Sequence, residues 1–301
     1  RVAALRGARR YEQGVRPKAL PEAGFALPDG AHVLITGGFG GIGLTVAEDL
    51  IRRFGTKITL IARRALPERA TWGRYLAAHD PADPISRRIL ALQRLEALGG
   101  QVMVAPADVC NMEDMVQAVA AGVARFGRVQ AVIHAAGVVD DGPLMLKTPA
   151  EVEEVFAPKL HGTQVLHRLF PDGAIDLLVV FSSTSTVTGP AGQIDYVAAN
   201  EYLNAYAKHR SGGKTRVVAL NWGIWTGVGM AAEALADRVA VMNHGEILEV
   251  STPALLGGRA DARATISWRE AGEVKSEESE TPTEFVKSLS TRLGGEVPEL
   301  S

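Results

Sequence analysis

A glycine-rich turn between a predicted strand and a predicted helix constrains the fold of this chain more than any other feature. The apolar run His32–Thr36 leads into the turn, and residues 45–54 after it have helical character. Glycine permits positive φ and lets backbone N–H groups approach a pyrophosphate, which a helix N-terminus also attracts. A tight turn without a ligand is the alternative, and the strand–turn–helix context disfavours it. The predicted dinucleotide site comprises Thr36, Gly37, Gly38, Phe39, Gly40, Gly41, Ile42 and Gly43.

Short apolar runs alternate with helical segments along most of the chain. Further strands are predicted at residues 57–62 and near 101–105, 129–135, 175–182 and 216–221. Further helices are predicted at residues 86–98 and near 112–126, 150–170 and 195–210. Such alternation is typical of βαβ units around a buried parallel sheet. We therefore predict an α/β fold, a Rossmann-type doubly wound parallel sheet with helices on both faces.

Arginine occupies the position that usually decides between the two nicotinamide dinucleotides. In an NAD-binding unit an acidic residue about 20 positions past the glycines binds a ribose hydroxyl. Here Arg63 stands twenty residues beyond Gly43, and Arg64 follows it. An arginine can pair with a 2′-phosphate, which favours NADPH, although a solvated basic pair is an alternative. Asp108 has two interpretations of equal weight, a contact with an adenine amino group or the N-cap of the next helix.

Three polar stretches suggest acid–base chemistry on a carbonyl group. Tyr196 and Asn200 are four residues apart and therefore share one face of a helix. A tyrosine is a poor acid at neutral pH unless a cation lowers its pKa, and Lys159 is a candidate for that cation. A serine of the stretch 181–186 could hold a carbonyl oxygen by hydrogen bonding. Taken singly, each of these residues also fits a structural role.

From about His32 to Met230 the chain resembles the short-chain dehydrogenases/reductases, and more narrowly the ketoreductase domain of a modular polyketide synthase. The motifs that carry the resemblance are Thr36-Gly-Gly-Phe-Gly-Gly-Ile-Gly43, Ala107-Asp-Val109, His134-Ala-Ala-Gly137, Lys159, Phe181-Ser-Ser183, Tyr196-Val-Ala-Ala-Asn200 and Ala219-Leu-Asn-Trp222. Commoner reductases have their lysine four residues after the tyrosine. Here Asn200 takes that place and Lys159 lies upstream, an order similar to that of the polyketide and fatty-acid synthase branch.

The resemblance implies a role for each residue of the constellation. Tyr196 would protonate a ketone oxygen, and Ser183, rather than Ser182, would hydrogen-bond it, since the family's serine lies thirteen residues before its tyrosine. Lys159 would hold the ribose and favour tyrosinate character, and Asn200 would order that lysine or a proton-relay water. Hydride would come from NADPH. Further implied cofactor contacts are Asp108, Val109, Ala135, Ala136 and Gly137.

The resemblance also carries an expectation about stereochemistry. Val139, Asp140 and Asp141 are similar to the Leu-Asp-Asp signature of B-type ketoreductases, which give the D-configured β-hydroxyl. The tryptophan of A-type enzymes is replaced by Thr188, and the proline that marks reduction of an epimerised α-methyl substrate is replaced by Ala198. We therefore expect a B1-like enzyme acting on an α-unsubstituted β-ketoacyl group. The alternative is that Asp140 and Asp141 are ordinary loop carboxylates.

The pocket and the chain ends are less well defined by the sequence. Trp225 and Met230 are candidates for lining the substrate pocket, or for core packing, and residues 230–237 for a lid. An alanine-rich helix is predicted at about 230–241 and a strand at 262–268. We divide the chain into an N-terminal arm, similar to the last strand of the family's preceding structural subdomain (1–30), a catalytic domain (31–269), and an acidic linker with a possible terminal helix at 283–293 (270–301).

Composition narrows the classes of partner that the chain is expected to bind. Thirty-two basic and 34 acidic residues give a net charge of -2, which supports neither a nucleic-acid nor a membrane partner. No apolar run approaches the roughly 18 residues of a membrane span. The single cysteine, Cys110, fits the cytoplasm. We expect no metal site. The resemblance implies an acyl carrier protein and other synthase domains as partners; the alternatives are a catalytically silent module of a synthase and a free-standing reductase of small ketones.

Overall fold

A six-stranded parallel sheet forms the centre of the computed structural model, which describes residues 3–12, 27–223, 225, 239–243, 246–251, 264–270 and 273–279. Its strands are β3 (His32–Thr36), β4 (Lys57–Ala62), β5 (Gln101–Pro106), β6 (Val129–His134), β7 (Leu177–Ser183) and β8 (Arg216–Trp222). The strand order is β5-β4-β3-β6-β7-β8, and every pairing is parallel. The chain therefore winds outward in both directions from β3 and β6, which confirms the predicted doubly wound Rossmann-type sheet.

Helices connect successive strands and cover the sheet. They are α1 (Gly41–Phe54), α2 (Trp72–Ala78), α3 (Pro84–Ala97), α4 (Met112–Phe126), α5 (Pro149–Leu169), α6 (Ser185–Thr188) and α7 (Ile194–His209). Single 3-10 turns lie at Arg69–Thr71 and Leu144–Leu146. All five residues of β3 are buried. Apolar residues on the two faces of the sheet form two separate core clusters, one around Leu34 and Met115 and the other around Ile35 and Leu60, as expected for a sheet covered on both faces.

Side-chain caps determine where three of these helices begin, and at the start of α3 the cap is Asp83. At the start of α4, the side chain of Asn111 accepts hydrogen bonds from the backbone N–H groups of Glu113 and Asp114. The interpretation of Asp108 as this N-cap is therefore wrong, because its carboxylate accepts instead from the Cys110 N–H at 2.9 Å. Thr148 forms a capping box with Glu151 at the start of α5.

Strands outside the central sheet correct the predictions for the N-terminal arm and for residues 230–241. The N-terminal arm holds two strands rather than the one predicted, because β1 (Ala3–Arg6) pairs antiparallel with β2 (Arg9–Glu12). The predicted helix at 230–241 is wrong over its last residues, where β9 (Val239–Asn243) pairs with β10 (Glu246–Ser251). β-Branched residues at positions 239 and 241 favour a strand over a helix there.

The predicted strand at 262–268 is confirmed as β11 (Ala264–Glu270). The acidic segment after it is not linker throughout, since β12 (Glu273–Ser279) pairs antiparallel with β11 along its whole length. Local backbone pairing with the preceding strand outweighs the polar composition of this segment. The predicted lid at 230–237 and terminal helix at 283–293 lie outside the described residues, and the division into three parts stays a prediction. None of the helices in the described ranges is long and apolar enough to cross a bilayer.

A buried histidine joins α4 to the sheet. His32 Nδ1 donates to the Gly127 carbonyl at 2.9 Å, so its Nε2 accepts from the Thr59 hydroxyl at 2.8 Å. Burial lowers the pKa of His32, which keeps the ring neutral. Helix α4 presents Gly122 to this pair, and a Cβ there would lie 2.9 Å from Thr59 Oγ1 and 3.2 Å from His32 Cε1.

We predict that the same substitution has opposite effects in two helices. Gly122→Ala should lower the free energy of unfolding by about 1–3 kcal/mol, because the added methyl overpacks a buried hydrogen-bonded pair. Gly73→Ala in α2, where a Cβ meets no atom within 4 Å, should raise it by up to about 1 kcal/mol through helix propensity. Chemical denaturation of both variants tests this; a stabilised Gly122→Ala would contradict the assigned packing.

Candidate active site

The predicted site residues converge at the carboxyl edge of the sheet. Strands β3, β6 and β7 end there, and their direction of winding reverses between β3 and β6. In open α/β sheets this reversal leaves a crevice outside the strand ends, which is where ligands bind. The glycine turn follows β3, the His134-Ala-Ala-Gly137 segment follows β6, and Ser183 ends β7.

The glycine turn has the geometry of a phosphate cradle. Gly37 has φ +64°, and a Cβ there would lie 2.7 Å from backbone atoms of Ala136. The Gly40 N–H donates to the Gly37 carbonyl at 2.9 Å, which closes the turn. Helix α1 then starts with neither a side-chain cap nor an acidic residue in its first turn. Its first N–H groups are therefore available to a pyrophosphate, so the residues present fit a dinucleotide.

A buried histidine links the turn to the next strand. Thr36 Oγ1 and His134 Nδ1 are 2.7 Å apart, and both side chains are buried. Burial, with a contribution from the nearby Lys159 charge, lowers the pKa of His134 to about 3. The ring is therefore neutral at physiological pH, and it supports the turn rather than exchanging protons.

The Lys159 ammonium lies inside the protein, on α5. The residue is 3% exposed, and Nζ donates to the Phe181 carbonyl at 2.8 Å. Burial lowers the pKa of Lys159 to about 8. Nζ lies 5.7 Å from the centre of the Tyr196 ring. Gly137 leaves room for the lysine stem, since a Cβ at that position would lie 3.1 Å from Lys159 Cε.

Tyr196 stands in the first turn of α7 and faces two of the predicted residues. Burial raises the pKa of its hydroxyl, while the nearby side chains of Ser183 and Asn200 act to lower it, and the charge of Asp141 adds to the increase. Asn200 Nδ2 donates to the Tyr196 carbonyl at 2.7 Å. The structure thus brings Lys159, Ser183, Tyr196 and Asn200 together.

The two adjacent serines have different environments. Ser182 is buried, and its hydroxyl donates to the Asn200 carbonyl at 3.1 Å. Ser183 is half-buried beside the Tyr196 hydroxyl, and its Oγ accepts from the Ser185 N–H at 3.1 Å. Of the two serines, Ser183 is therefore the one whose hydroxyl lies beside that of Tyr196.

Two arginines end the neighbouring strand. Arg63 and Arg64 follow β4 directly and are exposed. In the part of the chain that the structure describes, neither has a carboxylate within ion-pair distance. Sequence reasoning missed a third cation, Arg88 of α3, whose guanidinium carbon lies 5.7 Å from the centre of the Phe39 ring in the glycine turn.

The remaining predicted cofactor contacts differ in accessibility. Asp108 is exposed, whereas Val109 is buried and packs near Gly162, where a Cβ would lie 3.0 Å from Val109 Cγ1. Ala135 and Ala136 are half-buried behind the glycine turn.

The segment with the predicted stereochemical residues is hydrogen-bonded to the residues at the start of α7. Gly142 N–H donates to the Gly192 carbonyl at 2.9 Å, and Gln193 Nε2 donates to Asp141 Oδ2 at 2.8 Å. Val139 is half-buried, and Asp140 contacts Lys147. Lys147 in turn pairs with Asp195.

The two predicted pocket residues fall at the boundary of the described chain. Trp225 packs edge-on against Trp222, with ring centres 5.1 Å apart, and Trp222 packs likewise on Phe181. Trp225 therefore has an aromatic packing partner. Met230 lies outside the described residues.

Sequence reasoning missed Lys147, Asp195 and Gln193 as well as Arg88. No spacing rule connects Lys147 to Asp195, which are 48 residues apart; only the parallel winding of the sheet brings them together. Within the described ranges, no group of three or more His, Cys, Asp or Glu side chains could hold a metal ion.

Comparisons with known proteins identify the family of this chain. The family model of the KR domain matches residues 31–227. The chain is 34% identical over 262 residues to 5-methyl-1-naphthoate synthase of Streptomyces sahachiroi, covering 87% of this chain and 14% of that protein. It is 38% identical over 224 residues to a phenolphthiocerol/phthiocerol polyketide synthase component of Mycobacterium tuberculosis (strain CDC 1551 / Oshkosh), covering 73% of this chain and 12% of that protein.

A solved structure gives the same result for the fold. The ketoreductase from the first module of phoslactomycin biosynthesis in Streptomyces sp. HK803 superposes with a TM-score of 0.59 at 32% identity, over 74% of this chain and 49% of that one. The chain thus spans about half of a solved ketoreductase and a small part of the multidomain synthases it resembles. Because the family match covers the whole central sheet and the helices that carry the site, the chain belongs to the KR domain family, the ketoreductase domains of polyketide synthases.

Proposed function

We propose that this chain reduces the β-keto group of an acyl thioester, carried by an acyl carrier protein, to a β-hydroxyl with NADPH. The observation that carries the proposal is the convergence of Tyr196, Ser183 and Lys159 beside an uncapped glycine turn. These groups supply a proton donor, a hydrogen-bond donor for the carbonyl oxygen and a buried cation. Intact catalytic residues argue against a silent structural module.

The proton side of the reaction rests on Tyr196. When bound, the nicotinamide supplies hydride to the β-carbon. The Tyr196 hydroxyl donates its proton to the ketone oxygen as negative charge develops there, and Ser183 donates a hydrogen bond to the same oxygen. The Lys159 ammonium stabilises the tyrosinate that remains, since an opposite charge nearby favours the ionised form.

Two further residues keep this arrangement in place. Asn200 ties its side chain to the Tyr196 carbonyl, which fixes the first turn of α7. Its Oδ1 is buried and accepts no hydrogen bond from the described residues, so we assign it to ordering the lysine or a proton-relay water. With a pKa of about 8, Lys159 is mostly protonated at neutral pH, as the tyrosinate requires.

Charge at the end of β4 supports NADPH as the form of the nicotinamide cofactor. Arg63 and Arg64 are exposed there, where the fold places the adenosine ribose. A guanidinium pairs with a 2′-phosphate and cannot accept a hydrogen bond from a ribose hydroxyl. The Asp108 carboxylate, now without a capping role, is a candidate contact for the adenine amino group.

The substrate assignment follows from the family. The two named relatives are synthases much longer than this chain, and one of them is a polyketide synthase component. We therefore propose an acyl carrier protein and other synthase domains as partners, in the cytoplasm. Val139, Asp140 and Asp141 support B-type stereochemistry, the D-configured hydroxyl, on an α-unsubstituted acyl group. The Gln193–Asp141 hydrogen bond joins these residues to the catalytic helix.

We predict that Tyr196→Phe lowers kcat for a short β-ketoacyl thioester by about 10²-fold or more, since it removes only the proposed acid. Tyr206→Phe is the matched control: it makes the same change on the same helix, roughly 15 Å further along. The Tyr206 hydroxyl bonds His167 and Arg210 rather than the site, so turnover should be retained. NADPH consumption measures both; unchanged turnover in Tyr196→Phe would refute the acid role.

Cofactor selectivity gives a second prediction. Arg63→Ser should raise the KM for NADPH by about 10- to 100-fold, because a hydrogen bond to a charged group contributes about 1.5–3 kcal/mol. The KM for NADH should stay unchanged, as should both constants in Arg168→Ser, an exposed arginine in the last turn of α5. Steady-state kinetics with the two cofactors decide the matter; an equal loss for both would contradict the 2′-phosphate contact.

Burial of Lys159 predicts a pH effect on stability. Its folded pKa of about 8 lies below the ordinary 10.5, so the unfolded chain holds more protons in that interval and stability rises with pH across it. The free energy of unfolding of the wild type minus that of Lys159→Met should increase by about 2 kcal/mol from pH 8 to pH 10. Denaturation at several pH values measures the difference, and a flat difference would mean that Lys159 is not buried as an ammonium.

A further inference from the structure

A buried ion pair adjoins the backbone of Tyr196 and has no part in the proposed chemistry. Lys147 Nζ and Asp195 Oδ2 are 2.5 Å apart, and their side chains are 4% and 1% exposed. Lys147 precedes α5 and Asp195 immediately precedes Tyr196. The pair therefore joins two segments that are far apart in the chain.

The Lys147 ammonium has acceptors on two segments, the loop 139–141 and the first turn of α7. Besides Asp195, it donates to the backbone carbonyl of Asp140, and it lies 3.4 Å from the Asp140 carboxylate. The other Asp195 oxygen, Oδ1, accepts from the Tyr196 N–H at 2.8 Å. A continuous chain of contacts thus runs from Asp140 through Lys147 and Asp195 to the backbone of Tyr196.

Two neighbouring hydrogen bonds also join residues 141–142 to the residues just before α7. Gln193 Nε2 donates to Asp141, and Gly142 N–H donates to the Gly192 carbonyl. Among the groups that make these contacts, the Lys147 ammonium is the one that is charged, buried and bonded both to the loop 139–141 and to the first turn of α7. It therefore fixes the distance between the loop 139–141 and the first turn of α7.

Stability alone is a poor account of such a pair. Burying two charges carries a large desolvation penalty, and well-packed apolar residues are often at least as stabilising. The pair favours one fixed geometry, because a buried charge without its partner is strongly disfavoured. Arrangements that separate Lys147 from Asp195 are therefore disfavoured. The hydrogen bond to Asp195 raises the pKa of Lys147, which keeps the ammonium charged.

We propose that Lys147 and Asp195 are a positioning pair that holds the loop 139–141 against the Tyr196 helix and thereby selects which face of the β-keto group is reduced. The inference rests on the proposed reductase function. Hydride and proton arrive from fixed directions, so the configuration of the product depends on how the acyl chain passes between Tyr196 and this loop. Catalysis is sensitive to displacements of about 1 Å, so a loop released from this contact would admit the second orientation as well.

Three variants test this together with one control. Lys147→Met and Asp195→Asn each remove one charge, and the double variant removes both, leaving no unpaired buried ion. Arg128→Met is a surface control, because it breaks the exposed Arg128–Asp176 pair at the amino edge of the sheet, where the side chains are 52% and 39% exposed. Each protein reduces the same α-unsubstituted β-ketoacyl thioester with NADPH, and chiral chromatography gives the ratio of the two hydroxyl products.

We expect the ratio of product enantiomers to fall by about tenfold or more in each single variant, in line with the sensitivity of catalysis to small displacements. The KM for NADPH should stay unchanged, because the cofactor turn is not involved. The double variant should lose no more selectivity than either single one, since both act through one contact. Arg128→Met should keep the wild-type ratio.

The possible failures are distinguishable. If the wild-type protein does not reduce the thioester, the proposed function fails and the inference with it. If the wild type gives one enantiomer and the folded variants do too, the inference is overturned while the proposed function stands. Unfolding of all three variants, judged by circular dichroism, would overturn it as well, because the pair would then be a requirement of folding.

Discussion

The buried ammonium of Lys159 is the constraint on which the rest of the site depends. A charge that is 3% exposed must be hydrogen-bonded, and the Phe181 carbonyl at the end of β7 accepts from it. Its neighbours accommodate it in different ways: His134 stays neutral, and Gly137 leaves space for the stem. The fold thus accepts an unfavourable burial 5.7 Å from the centre of the Tyr196 ring, where the proposed mechanism requires a cation.

The winding of the sheet explains why this constraint can be met. Strand order reverses between β3 and β6, so the glycine turn and the segment after β6 lie side by side. Gly37 is in contact with Ala136 so closely that no larger residue fits. Helices α5 and α7 then bring Lys159 and Tyr196 to the same crevice from two successive connections. Backbone geometry places the groups, and side-chain contacts adjust their pKa values.

Sequence reasoning could predict those features that depend on local pattern. The apolar runs of β3 and β4 and the glycine turn after β3 follow from residue type and spacing. It could not predict that Asn111 rather than Asp108 caps α4, because both are good caps and only the backbone conformation selects one. It also missed that the acidic segment forms β12, since composition says nothing about a strand that pairs locally. The contact between Lys147 and Asp195 could not be predicted from the sequence, because it depends on the topology of the whole sheet.

Isotope transfer tests the central claim most directly. NADPH carrying deuterium at both C4 positions would be incubated with the wild-type protein and a β-ketoacyl thioester, and the product analysed by mass spectrometry and proton NMR. The arrangement of Tyr196, Ser183 and Lys159 predicts a β-hydroxyacyl product with one deuterium on the β-carbon and none on the hydroxyl, whose proton comes from Tyr196 and water. A product without deuterium on the β-carbon, or no product while NADPH is bound, would contradict the assignment of this site as a ketoreductase centre.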